Sequence, residues 1–154
     1  MPLHFRPSRT RAANGQSMVE FAMVAPLFFL LIFAVVEFGR LFFTQMQLEE
    51  AVQEAGRYAS TGNTQTGLTR LQSIEADLQK SAAGINVPIS NIQISSLVNG
   101  VWVSGSAGGP SDTVLIQVTM SLNLLTPMVG QYFPNSAYSF TASTTFQNEP
   151  FPPS

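Results

Sequence analysis

Sixteen consecutive residues, Phe21 to Val36 (FAMVAPLFFLLIFAVV), carry no charged or hydrogen-bonding side chain, and they limit what this chain can fold into more than any other feature. A run this apolar is poorly suited to the surface of a small water-exposed domain. It is bounded by Glu20 and Glu37 and followed by the apolar cluster Leu41, Phe42 and Phe43. A full bilayer span wants roughly 20 apolar residues. The run reaches that length if Glu37 and Arg40, three apart on one helix, pair or snorkel at the far interface, which places the transmembrane segment at about 21–43. Pro26 removes the helical hydrogen bond to Ala22, so a local kink is expected there, although proline is also ordinary in membrane helices.

Charge is sorted along the chain. Arg6, Arg9 and Arg11 precede every acidic residue, whereas all nine carboxylates lie from Glu20 onward. By the positive-inside rule this leaves the N-terminus cytoplasmic and the C-terminal part outside. Loss of residues 1–15 would leave four basic side chains against nine acidic ones, a formal charge of −5 instead of −2, which rules out a nucleic-acid footprint. After Lys80 only Asp112 and Glu149 are charged, in a segment otherwise rich in Ser, Thr, Asn and Gln. That nearly neutral surface suits a protein held in a membrane or packed in a polymer, and equally an exported domain with a quiet surface. The absence of Cys leaves the redox compartment undetermined.

A secretory signal peptide would require small residues at a cleavage site just past the apolar run, but Glu37, Phe38, Gly39 and Arg40 follow it. Instead the helical pattern continues. Leu41, Leu48, Ala51, Val52, Ala55, Tyr58 and Ala59 recur at helical spacing among Gln, Glu and Arg, with no proline to interrupt them. A helix from Ser17 to Ser60 is roughly 65 Å long, about twice the hydrocarbon thickness, so half of it projects from the bilayer. A membrane anchor followed by an ordinary domain helix would show the same pattern.

Where the basic leader meets the apolar run stand Gly15-Gln16-Ser17-Met18-Val19-Glu20-Phe21. A carboxylate at the edge of hydrocarbon is costly unless it is paired or stays at the interface. Glu20 in a first helical turn is favoured by the helix dipole, and this alone would account for it. The glycine, the four-residue spacing and the lone carboxylate also resemble the processing site of type IV pilin-like proteins. The resemblance implies that a prepilin peptidase cuts between Gly15 and Gln16, and that the new amine of one subunit is neutralised by the Glu20 of a neighbour. Gln16 stands where those proteins often carry Phe, which leaves N-terminal methylation open.

Residues 15–60 as a whole are similar to the TadE-like family. They share a Val-Glu-Phe-Ala start, a proline early in the span, Glu-Phe-Gly-Arg at its end, and a helix closing on Ala-Gly-Arg-Tyr-Ala. Leu125-Thr126-Pro127 and the segment ending at Asn148-Glu149 are weaker echoes of the same family. The resemblance implies a minor pilin-like component of the tight-adherence (Tad, Flp-type) pilus or a related secretion machinery. Its partners would be the bacterial inner membrane, a prepilin peptidase, other pilin-like subunits with the major Flp-type pilin, and the assembly platform. TadF- and TadG-like relatives share such a start.

The remaining sequence reads as an external α+β domain. Thr61 to Gly67 reads as a loop, and Leu68, Leu71, Ile74 and Leu78 mark a short amphipathic helix with Gly84 as a stop. Ile92 and Ile94 alternate with polar residues, Asn99-Gly100 signals a hairpin, and Trp102 falls on the return strand. Residues 104–111 read as a flexible loop. Val114 to Leu124 and Tyr138 to Phe146 alternate as two further half-buried strands. The expected fold class is α+β: a long N-terminal transmembrane and amphipathic helix packed with a short helix on an antiparallel sheet of about four strands. The expected divisions are a leader over 1–15, the long helix over 16–60, the external domain over 61–147 and an extended Pro-rich tail over 148–154.

No catalytic residue, cofactor or metal site is expected. His4 is the single histidine and lies in the leader, and Glu49, Glu50 and Glu54 read as a solvated helix face. No nucleic acid or small-molecule substrate is expected. The competing reading is an uncleaved single-pass anchor presenting a small binding or adhesion domain.

Overall fold

The computed structural model describes residues 10–151 and divides into two compact units, the first ending at Phe38 and the second spanning Gly39–Ser154. One helix, α1 (Thr10–Ser60), runs through both. It begins before Gly15 and continues on either side of Pro26.

In the first unit the apolar side chains of α1 have no protein to bury them. Phe21, Met23, Leu27, Phe28, Leu31 and Phe33 are all exposed, and none of the helix's most apolar 18-residue window is buried. By length and composition this helix is a candidate membrane span.

The second unit is built on the amphipathic end of α1. Leu48, Ala51, Val52, Ala55 and Ala59 are buried at helical spacing, and Glu49, Glu50, Gln53, Glu54 and Arg57 face solvent. The remaining elements are α2 (Arg70–Ser81), β1 (Ile92–Val98), β2 (Val101–Ser104), β3 (Thr113–Asn123), the single turn α3 (Pro127–Gly130) and β4 (Ala137–Gln147). Thr69 starts α2 with a capping box, accepting from the Gln72 amide while the Gln72 side chain accepts from the Thr69 amide.

The four strands form one antiparallel sheet in the order β2-β1-β3-β4. Asn99 and Gly100 join β1 to β2 with φ of 50° and 81°, the paired positive values that a two-residue type I′ turn demands. The inner face carries Ile92 and Ile94, then Val114, Ile116, Val118 and Met120, then Phe140 and Ala142. These pack with Leu48 to Ala59 of α1 and with Ile74 and Leu78 of α2 into one core. The opposite face of β3 and β4 is polar: Gln117 and Thr119 stand opposite Ser143 and Thr141. The α+β architecture expected from the sequence is thus the one found, with helices on one face of an open sheet.

Gly56 sets how closely helix and sheet approach. A Cβ there would lie 3.0 Å from Thr144 Cγ2 and 3.3 Å from Phe146 Cδ1. Ala51, Ala55 and Ala59 on the same stretch of α1 are fully buried as well. At this end of the sheet the Glu149 amide donates to the Ser60 carbonyl; at the other, the Arg40 guanidinium donates to the Asn123 carbonyl. From Gly39 to Ser60, α1 therefore runs antiparallel to β3.

Candidate functional site

Three groups of residues merit attention as a site, and they lie far apart along the chain. The first is the junction at the start of the apolar run. Gln16 donates from its Nε2 to Glu20 Oε1 at 3.0 Å, one helical turn away, and both side chains are exposed. Gly15 is exposed as well, and a Cβ added to it would meet nothing within 4 Å. The carboxylate is thus hydrogen-bonded to a neutral amide of its own helix and is exposed to solvent. His4, Arg6 and Arg9 lie outside the described residues.

The second group stands at the end of the run. Glu37 is 4% exposed, the most buried carboxylate among the described residues of α1, and Arg40 holds the carbonyl of Asn123. Burying Glu37 is consistent with a residue that must not face lipid charged and alone. The sequence placed Arg40 beside the membrane but gave no sign that it also anchors the end of β3.

The third group gathers residues from distant parts of the sequence. Arg70, the first residue of α2, donates to the Gly108 carbonyl at 2.6 Å, the Ala59 carbonyl at 2.8 Å and Asn148 Oδ1 at 2.8 Å, and its guanidinium lies 4.4 Å from the centre of the Phe151 ring. Asn148 is buried, and its Nδ2 donates to the carbonyls of Ala107 and Gly109. Asp112 accepts from the Gly109 amide at 2.7 Å, and its own carbonyl receives the Asn148 amide. Burial depresses the pKa of Arg70, partly offset by the neighbouring Asp112.

Two expectations change here. The segment over 104–111, read as flexible, is held by side chains from three other parts of the chain. Asn148, read as the first residue of a tail, is a buried bracket, and the Phe151 ring packs so closely on Gly62 that a Cβ there would fall 2.5 Å from it. The available signal was Arg70 itself, one of few cations in a stretch whose partners are otherwise neutral amides and hydroxyls. A cleft of about 440 Å³ flanks Arg70. Its guanidinium is engaged by protein carbonyls and an aromatic face, so it acts as a latch between the ends of α1, β4 and the glycine-rich loop.

No group of three or more metal-ligating side chains occurs among the described residues. The comparison with known families then identifies the helix. Residues 15–57 match the TadE-like protein family. No curated protein and no solved structure matches the chain. The TadE-like segment is α1 alone: its first half is the exposed apolar helix, and its second half carries Leu48 to Ala55 into the core beneath the sheet. The motif Ala55-Gly56-Arg57-Tyr58-Ala59 has a physical explanation in this fold. Gly56 lets Thr144 and Phe146 of β4 approach, Ala55 and Ala59 are buried in the core, and Arg57 turns outward to pair with Glu54.

Proposed function

We propose that this chain is a minor pilin-like structural component of a Tad (Flp-type) pilus or a related secretion machinery. The observation that carries the reading is the match of α1 to the TadE-like family, together with an apolar helix that has no protein partner for its first half. In this reading the N-terminus is cytoplasmic, α1 crosses the inner membrane once, and the sheet domain is extracytoplasmic. The chain joins other pilin-like subunits, the major Flp-type pilin and the assembly platform. It performs no catalysis.

A prepilin peptidase cuts between Gly15 and Gln16, leaving Glu20 as the fifth residue of the mature chain. The bond lies inside a helix that starts at Thr10, so the peptidase must unwind the first turns locally. Glycine eases that step, because it is the weakest helix former after proline. Once freed, the α-amine of Gln16 meets the exposed Glu20 of a neighbouring subunit, and two charges that are costly at the edge of hydrocarbon neutralise each other. Glu37 and Arg40 form the corresponding pair at the outer interface, and Pro26 bends the span.

The test is intact-mass analysis of protein from its native host. The expected mass is that of a chain beginning at Gln16, and a Gly15→Leu variant should accumulate at full length. Glu20→Ala should insert normally but lower piliation sharply. A native protein that keeps its leader, with Gly15→Leu behaving like the parent, would instead favour the uncleaved anchor presenting a small binding domain, a reading to which the continuous helix through Gly15 lends some support.

A further inference from the structure

The connection from β3 to β4, residues 124–136, is absorbed by none of the roles above. It exposes large apolar and aromatic side chains to solvent, with Tyr132 82% and Leu125 65% exposed. The aromatic character is organised, because Phe133 meets Tyr138 edge-on at 6.3 Å and Tyr138 stacks on Phe140, which belongs to the core. No charged residue occurs between Asp112 and Glu149, so no ionised side chain of this loop opposes placement at a lipid interface.

The position of the loop is what selects its partner. The Arg40 guanidinium donates to the carbonyl of Asn123, the last residue of β3, and this fixes the start of the loop beside α1 at the level of Arg40. Arg40 lies four residues past Val36 and three before Phe43. Whichever of these ends the span, Arg40 is within about 6 Å of its end along the helix axis, roughly the depth of one headgroup layer. Phe42 and Phe43 are exposed on α1 at the same level. Aromatic rings gather at this depth in membrane proteins because an apolar body and a polar edge fit the boundary between acyl chains and water.

We propose that the β3–β4 connection is a membrane-contacting element, with Leu125, Tyr132 and Phe133 seated in the outer headgroup layer of the bilayer that α1 crosses. The partner is the lipid interface itself. It gives the chain a second contact with lipid besides α1. The inference rests on the reading of α1 as a membrane span.

The full chain in nanodiscs of brominated lipid tests both readings separately. Native Trp102 is the built-in control. It pairs with Leu97, which pairs with Thr113 at the opposite end of β3, some 33 Å from Asn123. Its fluorescence should be unaffected by bromine. In a Trp102→Phe background, Phe28→Trp reports the span, while Tyr132→Trp and Leu125→Trp report the loop. The expected result is strong quenching of Phe28→Trp by lipid brominated deep in the acyl chain. Tyr132→Trp and Leu125→Trp should lose fluorescence mainly to lipid brominated near the headgroup, with a blue shift. Quenching of Phe28→Trp without quenching of either loop probe would overturn the proposal and leave the span intact. Loop probes that are blue-shifted but unquenched would mean that a protein surface, a second copy or another subunit, covers the loop, which also overturns it. An unquenched Phe28→Trp would remove the span and the proposal with it.

Discussion

Asp77 illustrates how a single side chain can oppose the fold that contains it. It is half-buried on α2, and loss of hydration, with a further contribution from Glu54 on α1, raises its pKa above the ordinary 3.8, while Lys80 acts the other way. A carboxyl whose folded-state pKa is raised binds its proton more tightly folded than unfolded. Its ionisation therefore costs stability as pH rises through the interval between 3.8 and the raised value, and that cost is fully present at neutral pH. Asp77→Asn should raise stability at pH 7 by less than about 1 kcal/mol, because the group is only partly desolvated. The gain should vanish once the pH is below the ordinary value. Urea unfolding at pH 7 and in acid checks this; a substitution that lowers stability at pH 7 would show that the carboxylate makes an interaction worth more than its desolvation. Arg70 is a parallel case, a partly buried cation whose pKa burial lowers and Asp112 only partly restores, while three oxygen acceptors and the Phe151 ring hold it in place.

Among the elements, the contact between α1 and β4 is the most sensitive to side-chain size. Helix and sheet approach closely because Gly56 presents no side chain to Thr144 and Phe146. Gly56→Leu forces four carbons into that seam and should cost about 1–3 kcal/mol. Gly56→Ala should come out near neutral, since the better helix propensity of alanine, up to about 1 kcal/mol, offsets a contact that is tight by a few tenths of an ångström. Thermal unfolding of the two variants checks both. A Gly56→Leu variant as stable as the parent would mean that β4 does not pack against Gly56. The apolar periodicity of α1 was legible in advance, and so was the Asn99-Gly100 turn, because both depend on local spacing and backbone freedom. Which face of α1 would need glycine was not, because that is set by a strand about ninety residues further along the chain.

For the molecule as a whole, every member of the buried apolar core lies at or beyond Leu48, in the second of the two compact units. A fragment spanning 39–154 should accordingly fold without the apolar run, giving mixed helix and strand circular dichroism and one cooperative unfolding transition. Exposed Phe42, Phe43 and Met46 should make it self-associate in the absence of detergent. A fragment lacking cooperative unfolding would show that the apolar helix is needed for the domain to form. The sequence alone was enough to establish the candidate span, the basic-to-acidic order of charge, the glycine and glutamate at the junction and the α+β class, since each follows from composition or short-range period. Only the tertiary structure decided that Arg40 grips the end of β3 and that Asn148 and Arg70 close the far end of the domain. Those arrangements join residues far apart in sequence, 83 for Arg40 and Asn123 and 78 for Arg70 and Asn148, and most of the acceptors are backbone carbonyls, which every residue possesses and no motif can mark.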